Sequence, residues 1–242
     1  MGEVVLVCSG KGGVGKTTFA VNISVAAAER GLKVLLMDLN LGRRNIDIYL
    51  GMEDRILFDL GDVISGLCTL DRAIIDYDLC PGLSILACPQ YREIDGVGPG
   101  HVRALYDRLK GSYDLIIVDC PVSLGGILRT VASGADSALI LTIQDYSSVR
   151  NADALNEKLE AIGVEKRCYA INRMEKQYSG SASIPGLSFI TKSLQIPLIG
   201  IVSEEPAIHL ANNSGCPVAL EAGSDMQQRF AQIAYRLIQR SW

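Results

Sequence analysis

Apolar residues come along this chain in short, nearly unbroken runs. EVVLVC (3–8), KVLLMD (33–38), LSILAC (83–88), YDLIIVDCP (113–121), SALILT (137–142), RCYAINR (167–173) and PLIGIV (197–202) are the clearest. A strand with one wet face alternates apolar and polar residues, whereas a continuous run fits a strand covered on both faces. Between the runs lie stretches with helical spacing. TTFAVNISVAAAERG (17–31) closes on Gly31. HVRALYDRLK (101–110) is a second. SSVRNADALNEKLEAIG (147–163) opens on serines that can cap and closes on Gly163. Near the end, Met226, Phe230, Ile233, Leu237 and Ile238 form one helical stripe, which predicts a last helix packed on the sheet. Strands alternating with helices predict an α/β fold: a doubly wound, mostly parallel sheet with helices on both faces. No linker, repeat or low-complexity block interrupts the pattern, so residues 1–242 are read as a single domain. MEKQYSGSASIPG (174–186) reads as a surface loop and GVGPG (96–100) as a turn.

The connection after the first run carries candidate chemistry. SGKGGVGKTT (9–18) contains G-x-x-x-x-G-K-[ST], with Gly10, Gly15, Lys16 and Thr17 in the defining positions. Glycines let backbone N–H groups approach an anion, and the helix that follows aims its positive end at the same place. The strand–glycine loop–helix context predicts nucleotide binding in a fold of the P-loop NTPase type. Gly10, Lys11, Gly12, Gly13, Val14, Gly15, Lys16, Thr17 and Thr18 are then the nucleotide-binding residues. Lys16 reaches the β- and γ-phosphates and the Thr17 hydroxyl ligates Mg²⁺. In parallel sheets chemistry gathers at the carboxyl ends of strands. Asp38 and Asp119 each end an apolar run on the edge of the glycine loop, which makes them candidate supports for the metal and its waters.

Composition narrows the class. No run of eighteen apolar residues occurs in the 242, so no transmembrane helix is predicted. The chain begins directly with a strand, which predicts no signal peptide. Seven cysteines without a C-x-x-C pair fit the cytoplasm, with Cys8, Cys120 and Cys168 as small buried apolar residues. A formal net charge of −4 gives no broad field for DNA or anionic lipid.

KGGVGKTT, with Lys11 two residues before Gly13, resembles the deviant phosphate loop of the MinD/ParA family of ATPases. LGRRNIDIYLGMEDRILFDLGDVISG (41–66), LDRAII, YSSVRNADAL, AINR and LIGIVSEE follow in the order of the MinD branch, over nearly the whole chain. The resemblance implies Mg·ATP binding, an ATP-dependent homodimer and slow hydrolysis. The cellular role it implies is spatial control of cell division by septum placement, with division-site partner proteins. It makes Lys11 the signature lysine, reaching across the dimer to the partner's phosphates, and places Asn172 against adenine. The catalytic set it implies is Lys11, Lys16 and the residue at position 40.

Two departures from the family pattern matter. MDLN (37–40) stands where D-x-D is usual, so the second carboxylate is Asn40. An amide orients a water but accepts no proton, and losing a general base costs roughly 10²–10⁴ in rate. This keeps a non-hydrolysing nucleotide-binding scaffold as the alternative. A ParA-type partitioning ATPase is the other, disfavoured by the 41–66 stretch and the acidic balance. An iron–sulfur carrier lacks legible cysteine pairs. Family members usually continue into a membrane-binding amphipathic helix, whereas here the sequence ends at Trp242, with Arg236 and Arg240 near it. The expectation is a cytoplasmic protein that does not bind membrane or nucleic acid directly and reaches the inner face of the cell membrane through partners.

Overall fold

A computed structural model describes residues 2–40, 44–90, 97–122, 125–175, 177 and 183–239. In chain order the elements are β1 Glu3–Cys8, α1 Lys16–Ala28, β2 Val34–Asp38, α2 Ile46–Leu50, α3 Leu60–Ile64, α4 Leu70–Ala73, β3 Ile74–Asp76, β4 Leu83–Leu86 and α5 Pro99–Leu109. They continue as β5 Leu115–Asp119, α6 Gly126–Val131, β6 Ser137–Thr142, α7 Tyr146–Ala161, β7 Lys166–Met174, α8 Leu187–Leu194, β8 Leu198–Ser203, α9 Pro206–Ser214 and α10 Asp225–Gln239. A 3-10 turn at Val218–Leu220 precedes α10.

Each apolar run became a strand, and the strands form one sheet in the order β3-β4-β2-β5-β1-β6-β7-β8. All pairings are parallel except β3 with β4. β1 shows why a continuous run is needed: Val5 and Val7 pack on one face, Val4, Leu6 and Cys8 on the other. One core lies under α1, α2 and α10, the second under α3 to α8. Helix α1 is buried on nearly every side because α10 covers it from above, and a helix apolar all round belongs inside. The terminal stripe packs as expected: Met226, Phe230, Ile233 and Leu237 are buried, and Ile238 is partly so. Cys8, Cys120 and Cys168 are buried thiols.

Some expectations need correction. The antiparallel edge strand β3 is too short and half-exposed for its pattern to stand out. The cap of α7 is Asp145, whose carboxylate accepts the Ser148 N–H at 2.8 Å, rather than one of the serines. Pro99 and Gly100, taken as turn, open α5, where a proline is tolerated at the first position. Residues 41–43 of the family-like stretch, Gly96, much of the 174–186 loop, Arg240 and Trp242 lie outside the described residues. Among the described residues, no helix is long and apolar enough to cross a membrane.

Register positions the site. Cα partners at the strand ends are Val7 with Asp119 and Asp38 with Asp119. The glycine loop, Asp38 and Asp119 therefore leave the sheet at one edge. The sheet order also reverses beside β1, which is where an open α/β sheet makes its crevice.

Candidate active site

The glycine loop runs from β1 into α1. Gly13 and Gly15 have φ of 74° and 91°, values that side chains rarely tolerate. A Cβ on Gly15 would sit 2.4 Å from Nδ2 of Asn172, and one on Gly10 2.3 Å from the carbonyl oxygen of Asn151 in α7. Glycine at these two positions lets neighbouring elements close on the loop. Asn172 holds it directly, donating from Nδ2 to the Val14 carbonyl at 2.8 Å. One N–H of that amide is committed to the loop. Lys16 opens α1 and is mostly buried, at 7% exposure.

Asp38 and Asp119 are both 1% exposed. Asp119 accepts the Thr17 hydroxyl at 2.6 Å through Oδ2, and Asp38 accepts the Asn40 N–H at 2.7 Å through Oδ1. The other two oxygens, Asp38 Oδ2 and Asp119 Oδ1, are buried without a hydrogen-bond partner. Burial, then the charge of Asp119, pushes the Asp38 carboxyl up to about 8. Burial pushes Asp119 up to about 6, against the lowering pull of the Thr17 hydroxyl and Lys16. Two orphaned carboxylate oxygens beside a hydroxyl are a set that a hard divalent cation satisfies. Mg²⁺ fits it, because that ion takes one or two carboxylates and leaves its other positions to phosphate and water.

Lys11 is turned toward its own chain. Its Nζ donates to Asp145 Oδ1 at 2.7 Å and to Ser147 Oγ at 2.9 Å. The Lys11 hydrogen bond, then Ser147 and the Ser148 amide, hold the Asp145 carboxyl down at about 2. Asp145 thus caps α7 and pins Lys11 at once. Its position, three residues before the Ser148 amide that it caps, is the signal by which sequence reading could have found it. Cys88, past the end of β4, donates its thiol to the Asn40 carbonyl at 3.4 Å, and nothing in the sequence pattern marks it.

Beyond the loop, Gly15, Thr18, Asn172, Ile208, His209 and Asn212 line a narrow cleft of about 60 Å³. Asn212 Nδ2 donates to Thr18 Oγ1 at 3.0 Å. A roomier cavity of about 350 Å³ between α3, α5 and α6 is lined almost wholly by aliphatic side chains, so size does not mark the anion site.

Comparison with known proteins bears on the family and the fold. A family model described as an AAA domain matches residues 2–168. The septum site-determining protein MinD of Synechocystis sp. is 35% identical over 238 residues, covering 98% of this chain and 90% of that protein. The fold superposes on the MinC:MinD cell division protein complex of Aquifex aeolicus with a TM-score of 0.91, at 33% identity over 99% of this chain and 97% of that one. The septum site-determining protein MinD of Pyrococcus horikoshii OT3, complexed with Mg-ADP, gives a TM-score of 0.87 at 27% identity, over 98% and 96% of the two chains.

Proposed function

This chain belongs to the MinD family of septum site-determining proteins, and from that premise we propose that it is a Mg·ATP-dependent dimerising ATPase that acts in placing the division site. The carrying observation is the alignment of the glycine loop, Asp38 and Asp119 at one sheet edge, with two carboxylate oxygens buried and unpaired. The loop amides and the start of α1 cradle the phosphates, and Lys16 adds a fixed positive charge. Thr17, Asp119 and Asp38 would hold Mg²⁺ or its waters, and the ion would supply positive charge against the charge developing on the phosphates. Asn40 orients the attacking water without taking its proton, so turnover is slow. Asn172 keeps the loop closed and presents its oxygen to the base.

Lys11 makes dimerisation conditional. It must leave Asp145 before it can reach phosphate in a second subunit, so a nucleotide-bound partner competes with an internal carboxylate. Both members of that ion pair are more than a third exposed. Such pairs are worth little, so the exchange is accessible. The superposition on a MinC:MinD complex supports a division-site partner protein for the ATP dimer. The chain works in the cytoplasm and reaches the inner face of the membrane through such partners.

Sedimentation in Mg·ATP tests the switch. The parent protein pairs, whereas Lys11→Ala binds nucleotide through Lys16 and the loop amides and stays monomeric. A Lys11→Ala protein that pairs as well as the parent overturns the bridging role. Steady-state turnover of the parent, with and without lipid vesicles, separates a slow ATPase from the second reading that Asn40 raises, a scaffold that binds nucleotide without turnover.

A further inference from the structure

Helix α9 is held unusually thinly. None of its residues is fully buried and Leu210 is 67% exposed; only Ile208 and Ala211 pack, partly buried, against the core. Its carboxyl end is fixed: Gly215, at φ 67°, leaves no room for a Cβ against the Gly51 backbone, at 2.6 Å. Just beyond, the Ala219 N–H donates to Asn22 Oδ1 at 2.9 Å, tying the 3-10 turn to α1. The body of the helix overhangs the cleft. Among the described residues, its side-chain hydrogen bond to α1 is that of Asn212 with Thr18.

The cleft is small for its task. At about 60 Å³ it is well below the roughly 300 Å³ at which ligand pockets begin, and past Arg173, Ser203, Glu204 and Glu205 it adjoins clefts of about 300 and 400 Å³, so a base seats at its mouth with α9 as one wall. Gly15, Thr18 and Asn172 belong to packed elements, with Asn172 bonded to the loop. Ile208, His209 and Asn212 belong to α9, and segments with few buried contacts move at the least cost.

We propose that Asn212 is a positioning residue that couples the base end of the site to the phosphate loop. This rests on the reading of the cleft as the base pocket of an ATPase. A purine seated against Ile208 and His209 fixes α9. Asn212 transmits that order to the Thr18 hydroxyl. Thr18 adjoins Thr17, whose own hydroxyl is bonded to Asp119 at the metal position. Base and phosphate binding therefore reinforce each other through one amide–hydroxyl contact, and a ligand that has phosphates but no base gains nothing from it.

Calorimetry with Mg·ATP and with Mg·tripolyphosphate distinguishes these cases. One neutral hydrogen bond predicts that Asn212→Ala weakens ATP binding roughly 3- to 10-fold and tripolyphosphate binding by less than about 2-fold. In a Thr18→Val background, which lacks the hydroxyl, Asn212→Ala should cost ATP nothing further. Hydrogen exchange supplies the folding control: ATP protects amides 207–214 in the parent and less so in Asn212→Ala, while β1 and β5 stay protected in both. Equal losses for both ligands, or no loss for ATP, overturn the coupling. A parent protein that binds neither ligand overturns the nucleotide reading as well.

Discussion

Asn40 shows how much one atom decides at the residue scale. Its backbone is well held, with the N–H on Asp38 and the carbonyl accepting from Cys88. Position 40 is therefore fixed whichever side chain it carries, and Asn40→Asp exchanges an amide for a carboxylate with little steric change. Single-turnover hydrolysis of the preformed Mg·ATP complex should rise at least about tenfold, less than the full roughly 10²–10⁴ of a general base because the amide already orients the water. Affinity is to be measured separately, since a third carboxylate near Asp38 and Asp119 opposes phosphate. Equal rates for parent and variant would mean that the amide already places the water adequately. The glycine loop was legible at this scale because its chemistry is local. The Lys11 to Asp145 contact was not, because its partners lie 134 positions apart.

Among the elements, α10 makes the plainest prediction. Its apolar stripe is legible from spacing alone, but what the stripe touches is not. Phe230 is fully buried and meets Phe19 of α1 edge-on, with ring centroids 5.3 Å apart and planes at 72°. Phe230→Ala removes that contact and leaves a cavity between α10 and the helix that carries the phosphate loop. A loss of about 3–5 kcal/mol is expected, read as a lower denaturant midpoint. A loss under about 1 kcal/mol would show that α10 is not closely packed on α1 in solution. Helices α2, α3, α4, α6, α8 and α9 were not foreseen. The first three are four or five residues long, too short to show a period. α9 is nine residues long and packs only Ile208 and Ala211, partly buried, against the core, too few apolar positions to set a period.

For the whole molecule, the buried carboxylates couple folding to pH. Both Asp38 and Asp119 titrate above the ordinary carboxylate value, so the folded chain binds protons more tightly than the unfolded one. Stability from this source is fully present below the unfolded value of about 4. It is lost as pH rises through the folded values, about 6 for Asp119 and about 8 for Asp38. In EDTA and without nucleotide, the melting temperature should fall from pH 5 to pH 8. Mg·ADP should flatten that fall by supplying the missing positive charge. Asp38→Asn should raise the midpoint of the metal-free protein at pH 8 while weakening metal binding, a trade of function for stability. A flat profile for the parent in EDTA, or a less stable Asp38→Asn at pH 8, would contradict this account.

The fold class, the glycine loop and the two strand-end aspartates beside it followed from sequence by itself, because each rests on short-range regularities. Continuous apolar runs need cover on both faces. A glycine octet between strand and helix builds an anion site from its own backbone. An aspartate ending a parallel strand emerges on the edge where such loops open. Tertiary structure decided the rest. Only the register of β2 and β5 sets Asp38 beside Asp119 and forces up both carboxyls. Only folding brings Asp145 to Lys11, Asn172 to Val14 and Asn212 to Thr18. Each of these contacts joins residues more than a hundred positions apart, and no local periodicity encodes a distance that only the closed sheet determines.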